Sequence, residues 1–303
     1  MKPGIRALFH PASLALPLAL LLAACATQPP PAAPTPPLPY PESARERMLG
    51  IALAEWQDWG RIVVEASAPR AATAGPGQES RLGNFPRVLA YWRAVEGEGR
   101  AAIDRNRSRY ATVLAHPGAP GDVWGEPAWS AAFISYVMRN AGVDEREFRP
   151  SAAHAFYIDG LLADAAAFPA QAPFIPHDPG AYAPAPGDLV CADRSRRPLA
   201  GWRERLAEAG EFRPMHCDIV VASEAGAGGR VVRAVGGNVA DAVTLSLFPA
   251  DAAGRLLPRP AGQPAWFAVF ENRLGRLPPF GAPPVAISMA MPPAAPAAPR
   301  ALF

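Results

Sequence analysis

The sequence predicts an α+β protein in which helices come first and an antiparallel sheet follows. In the first half of the chain, apolar residues recur three and four positions apart, as they do on one face of a helix. After Pro184 the pattern changes to short apolar runs with strand periodicity. Because helical and strand segments do not alternate, the sequence excludes a βαβ arrangement and favours separate helical and strand regions.

The helical half contains four predicted helices. The most clearly delimited one runs from Trp129 to Ala141, opens after Glu126-Pro127 and stops at Gly142, where a left-handed cap is expected. Another begins near Ser151, a plausible N-cap residue. The four predicted segments are Glu42–Glu65, Val88–Val95, Trp129–Ala141 and a helix from Ser151 through Ile158.

The second half contains five predicted strands, separated by turns and loops rich in Gly and Pro. The first two of these strands each contain an aspartate and one of the two cysteines of the globular region. The predicted strands are Asp188–Ala192, Cys217–Ala222, Arg230–Val235, Val239–Leu247 and Ala265–Phe270. Together they predict a small antiparallel sheet.

Composition and charge restrict the classes of function. The 303 residues are 50% hydrophobic, enough for a packed core, and the formal net charge is only +2. The single lysine, Lys2, lies in the N-terminal segment. A nucleic-acid binder needs clustered, uncompensated cations, so no nucleic-acid partner is expected.

The N-terminus has the features of a bacterial lipoprotein signal. A basic start is followed by the apolar run Leu14–Leu22 and by Leu22-Ala23-Ala24-Cys25, where small residues lead into a cysteine. The stretch is interrupted by prolines and is shorter than the ~20 apolar residues of a transmembrane helix. We therefore expect cleavage before Cys25, lipidation of Cys25 and anchoring to a membrane through it, with a short secretory leader as the alternative.

This interpretation predicts a periplasmic protein, and Ala26 after the cysteine favours the outer membrane. The Pro-rich stretch that follows is suited to a semi-rigid tether. The predicted organisation is a signal peptide (1–24), a lipidated cysteine and tether (25–41), a helical region (42–119), an α+β domain (120–273) and a Pro/Ala-rich disordered tail (274–303).

Export also bears on the other two cysteines, Cys191 and Cys217. They form an even pair in an oxidising compartment and lie in strands that can be antiparallel neighbours. A disulfide is favoured over two buried thiols. A metal site is the least favoured reading, because neither cysteine belongs to a Cys-x-x-Cys pair.

Three short segments carry candidate chemistry. Ser130 lies in the first turn of an apolar helix, where unpaired N–H groups and the helix dipole favour negative charge. His216 and Asp218 share one face of a strand, whereas Cys217 points to the other. Asn238 follows two glycines in a turn after the next strand. A nucleophile, a histidine and a polar orienter in this order match the logic of a catalytic triad.

The order of these motifs resembles that of the NlpC-type papain-like cell-wall peptidases. The matching pieces are Trp129-Ser130-Ala131-Ala132-Phe133, Pro186-Gly187-Asp188-Leu189-Val190, His216 and Gly236-Gly237-Asn238. With Ser151-Ala152-Ala153-His154 and His216-Cys217-Asp218 included, the sequence is closer to the uncharacterised bacterial family called domain of unknown function 2272. The resemblance implies a papain-like fold and hydrolysis of amide bonds in peptidoglycan peptides.

One departure concerns the nucleophile, since peptidases of this type use cysteine where this chain has Ser130. The resemblance implies that Ser130 is the nucleophile, that His216 is the base and that Asn238 or Asp218 orients the histidine. Trp129, His154 and Gly237 are candidate substrate-binding residues, although His154 is equally suited to capping a helix. No metal or organic cofactor is implied.

Two classes of function remain open at this point. One is a serine hydrolase that acts on amide or ester bonds of the cell envelope, with a cleft between the Trp129 helix and the sheet. The other is an inactive papain-like domain that binds a peptide or an envelope partner. Each candidate also has a purely structural reading: Ser130 as a small residue that allows helix packing, His216 as a strand-edge histidine, and Asn238 as a left-handed turn residue.

Overall fold

The computed structural model describes residues 35–37, 43–65, 78–81, 83–116, 127–226 and 229–275. The predicted signal peptide, Cys25 and nearly all of the predicted tether and tail lie outside these residues. Within the described part of the chain, no helix is both long enough and apolar enough to cross a bilayer.

The first helices in the described part of the chain pack against the elements that follow them. Helix α1 spans Ser43–Asp58, α2 spans Phe85–Arg93 and α3 spans Glu96–Ala115, with a 3₁₀ turn at Gln78–Ser80 before α2. Ala44, Met48 and Ala52 recur at four-residue spacing on α1 and are fully buried. Their burial joins the first helix to the main hydrophobic core.

The predicted helix Glu42–Glu65 is too long. Helix α1 ends at Asp58, and Gly60 and Arg61 then adopt positive φ values of 94° and 58°. A left-handed conformation cannot continue a right-handed helix. Val63–Glu65 beyond this break forms a short strand, β1, instead of another helical turn.

Helices α4 and α5 carry the candidate catalytic segments. Helix α4 spans Ser130–Asn140, and Gly142 after it has a φ of 83°, which confirms the predicted left-handed cap. Helix α5 spans His154–Ala167. The prediction that Ser151 is the N-cap residue is wrong, because the N-cap position is occupied by Ala153. Ser151 lies three residues before α5, where its hydroxyl accepts a hydrogen bond from the Ala153 N–H at 3.1 Å.

The described strands form one mixed, seven-stranded sheet in the order β1-β6-β5-β4-β3-β7-β2. Strand β1 pairs with β6 in parallel, and the other neighbours are antiparallel. The sheet is therefore larger than predicted and not purely antiparallel. Its remaining strands are β2 (Phe174–His177), β3 (Leu189–Asp193), β4 (Met215–Gly226), β5 (Gly229–Val239), β6 (Ala242–Ala250) and β7 (Ala265–Asn272).

The protein has the predicted α+β class. The core divides between the two faces of the sheet, because strand side chains alternate in direction. Cys217 and Ile219 of β4 belong to the larger cluster, which also contains the buried residues of α4, whereas Val220 belongs to a smaller cluster with Val232 and Phe248. Helix α4 thus packs on the sheet and positions its N-terminus near β4 and β5.

A disulfide joins Cys191 on β3 to Cys217 on β4. The two residues are directly opposite each other in the antiparallel register, with a Cα–Cα distance of 4.2 Å. Both side chains are fully buried. The bridge therefore ties together two central strands immediately beside His216 and Asp218.

Candidate functional site

Ser130 is the first residue of α4. The carbonyl of Trp129, the N-cap residue, accepts the Phe133 N–H at 2.9 Å, and no side chain caps the helix. The N–H groups of the first turn have no acceptor within the helix. The Ser130 hydroxyl therefore lies where amide dipoles favour negative charge.

His154 is the imidazole that Ser130 contacts. Ser130 Oγ and His154 Nε2 are 2.7 Å apart, and His154 Nδ1 on the other side of the ring contacts the Tyr157 hydroxyl. His154 is the first residue of α5, and Tyr157 lies one helical turn further along. The three side chains form a continuous series from hydroxyl to imidazole to phenol.

His216 lies next to this series and pairs with Asp218. His216 Nε2 is 3.0 Å from Asp218 Oδ1, and the His154 and His216 ring centroids are 5.3 Å apart in an edge-on arrangement. The sequence assigns the base to His216, whereas the structure brings His154 into contact with Ser130. Of the two predicted orienting residues, Asp218 is the one that contacts His216.

Gly236 provides the space for the His216–Asp218 pair. A Cβ at this position would lie 1.7 Å from Asp218 Oδ1 and 3.2 Å from His216 Nε2. His216 Nδ1 is buried and has no hydrogen-bond partner among the residues that the structure describes. The close approach of β5 to β4 thus fixes the geometry of the pair.

The whole cluster is buried. Ser130, His154 and His216 are 5%, 4% and 6% exposed, so their side chains do not line an open cleft. Burial, followed by repulsion from Arg194 and from His216 whenever that ring is protonated, holds the pKa of His154 well below its usual value. Burial also lowers the pKa of His216, although the neighbouring Asp218 acts in the opposite direction. Both imidazoles are therefore neutral near pH 7.

Tyr157 is a phenol at physiological pH. Burial, followed by the negative charge of Asp218, raises the pKa of its hydroxyl well above the usual value. A neutral phenol can either donate to or accept from His154 Nδ1. Neither the strand pattern nor the motif order in the sequence had indicated Tyr157, although it lies at i+3 from His154 on the same helix.

Asn238 and Trp129 both donate a hydrogen bond to Glu79, a residue that the sequence did not indicate. Trp129 Nε1 donates to Glu79 Oε2 at 2.7 Å, and Asn238 Nδ2 donates to the same oxygen at 2.9 Å. Gly237 packs against α4, since a Cβ there would lie 2.5 Å from the Cβ of Phe133. Trp129 and Gly237 are therefore part of the packed interior.

The Arg-rich insertion between β3 and β4 is held by ion pairs. It contains helix α6 (Trp202–Arg205) and a 3₁₀ turn at Leu206–Glu208. The guanidinium of Arg205, fully buried, contacts Asp159 of α5 at 2.8 Å, and Arg213 contacts Asp193 at 2.9 Å. These arginines fasten the insertion to the domain.

An open pocket lies elsewhere on the surface. It has a volume of about 640 Å³ and is lined by residues near the start of α3 and by Tyr136, Arg139 and Asn140 near the end of α4. Ser130 is at the opposite end of the same helix. Among the residues that the structure describes, no group of three or more His, Cys, Asp or Glu side chains is arranged to hold a metal ion.

Comparison with known families gives a match over most of the described residues. The model of a family described as "Uncharacterized protein conserved in bacteria (DUF2272)" matches residues 79–271, which include Glu79, Ser130, His154, His216 and Asn238. No curated protein and no solved structure matches the chain significantly.

Proposed function

The chain belongs to the DUF2272 family of bacterial proteins, and we propose that its buried serine–histidine cluster hydrolyses an acyl bond, an amide or ester of the cell envelope. The observation that carries this proposal is the 2.7 Å contact between Ser130 Oγ and His154 Nε2. A nucleophile and its base need this kind of hydrogen bond. Ser130 is the proposed nucleophile, and His154 is the proposed base.

The proposed reaction begins with a neutral His154. With its proton on Nδ1, the ring donates to the Tyr157 hydroxyl and accepts the Ser130 hydroxyl proton at Nε2. Ser130 Oγ bonds to the acyl carbon, and the leaving amine or alcohol takes the proton from Nε2. Water then cleaves the acyl-serine ester with the same imidazole as base, which restores the Ser130 hydroxyl and releases the acid.

The start of α4 supplies the proposed oxyanion site. The first-turn N–H groups have no acceptor in the helix, and the helix dipole adds to their effect on negative charge. Donors fixed in advance contribute more to transition-state stabilisation than mobile ones. The Ser130 amide is the first candidate, because it precedes the first amide bonded within the helix.

The His216–Asp218 pair is proposed to balance charge during the reaction. When His154 takes the proton from Ser130, a positive charge forms in a buried site, which is unfavourable without a nearby anion. The ring of His216 is adjacent to that of His154, and His216 is hydrogen-bonded to the Asp218 carboxylate. We therefore assign this pair an electrostatic role and leave proton abstraction to His154.

A papain-like fold of NlpC type and a location in the cell envelope are parts of the same proposal. The supporting observations are the order of the helix-borne Ser130, the strand-borne His216 and Gly236-Gly237-Asn238, together with the Leu-Ala-Ala-Cys sequence ending at Cys25. Gly236-Gly237-Asn238 was predicted to form a turn, but these residues lie at the end of strand β5, where the pairing with β6 shifts register. The Cys191–Cys217 disulfide also supports export, since such bonds persist in oxidising compartments. Peptidoglycan peptides are the proposed substrates, and the outer membrane is the proposed site of anchoring.

The burial of the cluster favours a second candidate, a domain of the same fold that binds a peptide or envelope partner without catalysis. Ser130 and His154 are each at most 5% exposed, and a substrate must reach the serine for any acyl transfer. In this second candidate the polar cluster stabilises the interior and the chemistry has been lost. The two candidates differ in whether Ser130 reacts.

Reaction with a fluorophosphonate probe, followed by peptide mapping, separates the two. We expect the purified chain to carry one phosphonate on the peptide that contains Ser130, and Ser130→Ala to remove it. Ser135→Ala is the matched control, because Ser135 is a buried, hydrogen-bonded serine on the same helix. Labelling of Ser135 or of neither serine in folded protein rejects the hydrolase in favour of the binding domain.

A further inference from the structure

Glu79 links two segments that flank the candidate nucleophile. It lies in the 3₁₀ turn Gln78–Ser80 and is 6% exposed. Its Oε2 accepts hydrogen bonds from Trp129 Nε1 at 2.7 Å and from Asn238 Nδ2 at 2.9 Å. Hydrogen bonds to a carboxylate are stronger than those between neutral groups, particularly when they are buried.

Both donors occupy positions that determine the geometry around Ser130. Trp129 is the N-cap residue of α4, so its orientation sets the direction of the first-turn amides. Asn238 has a φ of 55°, a left-handed conformation that asparagine adopts more readily than most residues other than glycine. It directly follows Gly237, which is in close contact with Phe133 and Trp129 on α4.

Contacts with two other aromatic rings also hold the side chain of Trp129 in place. The ring of Trp129 stacks on Trp59 of the segment after α1 at 5.4 Å between centroids and lies 5.3 Å from the ring of Tyr91 on α2. The indole plane is thus held by apolar contacts, and its N–H is held by Glu79. Loss of the carboxylate would leave the indole N–H buried without this acceptor, which is unfavourable.

We propose that Glu79 is a positioning residue of the candidate active site, which holds the start of α4 and the end of β5 in the alignment that Ser130 requires. The inference rests on the proposed hydrolase for its kinetic consequence. Glu79 itself acts on the reaction through Trp129 and Asn238. Its contribution is therefore to the rate at which Ser130 reacts, with a smaller effect on the affinity for a small probe.

The test measures the maximal inactivation rate and the half-saturating probe concentration for fluorophosphonate labelling of Ser130. We expect Glu79→Ala to reduce the maximal rate at least tenfold and to change the half-saturating concentration less than threefold. Glu79→Gln keeps an oxygen that can accept both donors and should recover most of the rate. An unchanged rate in Glu79→Ala, or a loss confined to the half-saturating concentration, overturns the proposal.

Asp188→Asn is the matched control. Asp188 directly precedes β3 and is also a buried carboxylate. It accepts hydrogen bonds from two backbone N–H groups, those of Ala185 and Asn272. Its replacement should lower stability without reducing the maximal labelling rate of folded protein. If Asp188→Asn slows labelling as much as Glu79→Ala does, the effect of Glu79 is a general loss of stability and the proposal is rejected.

A double-mutant cycle tests the route from Glu79 to the site. Asn238→Gly removes one donor and accommodates the positive φ of this position. If Glu79 acts through Asn238 and Trp129, Asn238→Gly should slow labelling in the wild-type background and have a smaller effect in Glu79→Ala. Equal effects in both backgrounds contradict the proposed route.

A hydrogen-exchange measurement makes the result independent of catalysis. If the wild-type chain is not labelled at Ser130, the hydrolase proposal fails, and backbone amide exchange then decides the role of Glu79. We expect Glu79→Ala to accelerate exchange at residues 133–136, the first amides bonded within α4, and at residues 236–239 at least tenfold relative to Asp188→Asn. Equal exchange rates in the two variants overturn the positioning role.

Discussion

Ser130 and His154 are the first residues of two different helices, and their side chains meet with Oγ and Nε2 2.7 Å apart. Helix starts are rigidly placed by the packing of the helices behind them, since α4 and α5 both belong to the main core. A hydroxyl and an imidazole held in this way are aligned before any ligand arrives. This arrangement is the basis of the first prediction.

The identity of the base can be tested with histidine variants. His154→Ala should reduce fluorophosphonate labelling of Ser130 by about 10²- to 10⁴-fold, the usual contribution of a general base. His216→Ala should have a smaller effect, because His216 contacts Asp218 in the structure. His177→Gln is the control, since His177 contacts Glu271 on the β2–β7 pair. A loss of labelling in His216→Ala with normal labelling in His154→Ala would return the role of base to His216.

Stability should fall as the pH drops below about 6.5, the ordinary histidine pKa. The pKa values of His154 and His216 are lowered in the folded state, so below this pH the unfolded chain binds protons that the folded chain does not. Each histidine then contributes up to about 1.4 kcal/mol per pH unit to the decrease in unfolding free energy. Urea unfolding between pH 7.5 and 5 measures the slope, and His154→Gln should reduce it. A flat profile through this range contradicts the lowered pKa values.

The disulfide should contribute substantially to stability. The bridge closes a loop between residues 191 and 217, and the chain-entropy model assigns such a loop about 3 to 4 kcal/mol. Replacing both cysteines with alanine should lower the unfolding free energy by at least this amount, because both side chains are fully buried. Denaturant unfolding of the oxidised and reduced wild-type chain is the companion measurement. A difference below about 1 kcal/mol in both experiments would be inconsistent with this role.

Gly236→Ala should disrupt the His216–Asp218 pair. The new methyl group would overlap Asp218 Oδ1, and overpacking of this kind costs about 1 to 3 kcal/mol. Gly160→Ala is the control, because Gly160 lies in α5 and has no neighbour within 4 Å of an added Cβ. The control should be neutral or more stable by up to about 1 kcal/mol. Thermal unfolding of both variants compares them, and equal stability of Gly236→Ala and wild type would rule out the close contact.

Membrane attachment depends on Cys25 if the lipoprotein interpretation holds. Cys25→Ser should move the protein from the membrane fraction of bacterial cells to the soluble fraction, because the acyl chains can no longer be attached. Thr27→Ser, two residues away, should leave the distribution unchanged. Membrane retention of Cys25→Ser would contradict lipidation at this position.

The local features of the fold could be predicted from the sequence. Gly142 ends α4 because glycine accepts the left-handed cap, and the predicted neighbours β3 and β4 are adjacent, with Cys191 opposite Cys217. Strand β1 was missed because its three residues continue the apolar pattern of α1 after Gly60 and Arg61. Helix α3 lies inside the predicted helical region 42–119, but its bounds could not be predicted because its sequence is polar and lacks a strong apolar face.

The contacts of the candidate site could be predicted only in part. The sequence located Ser130, His216 and Asp218, since each lies in a recognisable local setting. It did not indicate that His154 would contact Ser130, because that distance depends on how α4 and α5 pack. Glu79 lies 50 residues before Trp129, and no local pattern reveals a hydrogen bond across that separation.

The pairing of β1 with β6 has a consequence for biosynthesis. Val63 emerges from the ribosome long before its partner Leu245, because most of the described residues lie between them in the chain. Met48 of α1 likewise contacts Asn272, which follows even later and lies just beyond the segment matched by the family. The nascent chain must therefore carry an incomplete hydrophobic core until these later residues have been made, and contacts so distant in sequence slow the final folding step.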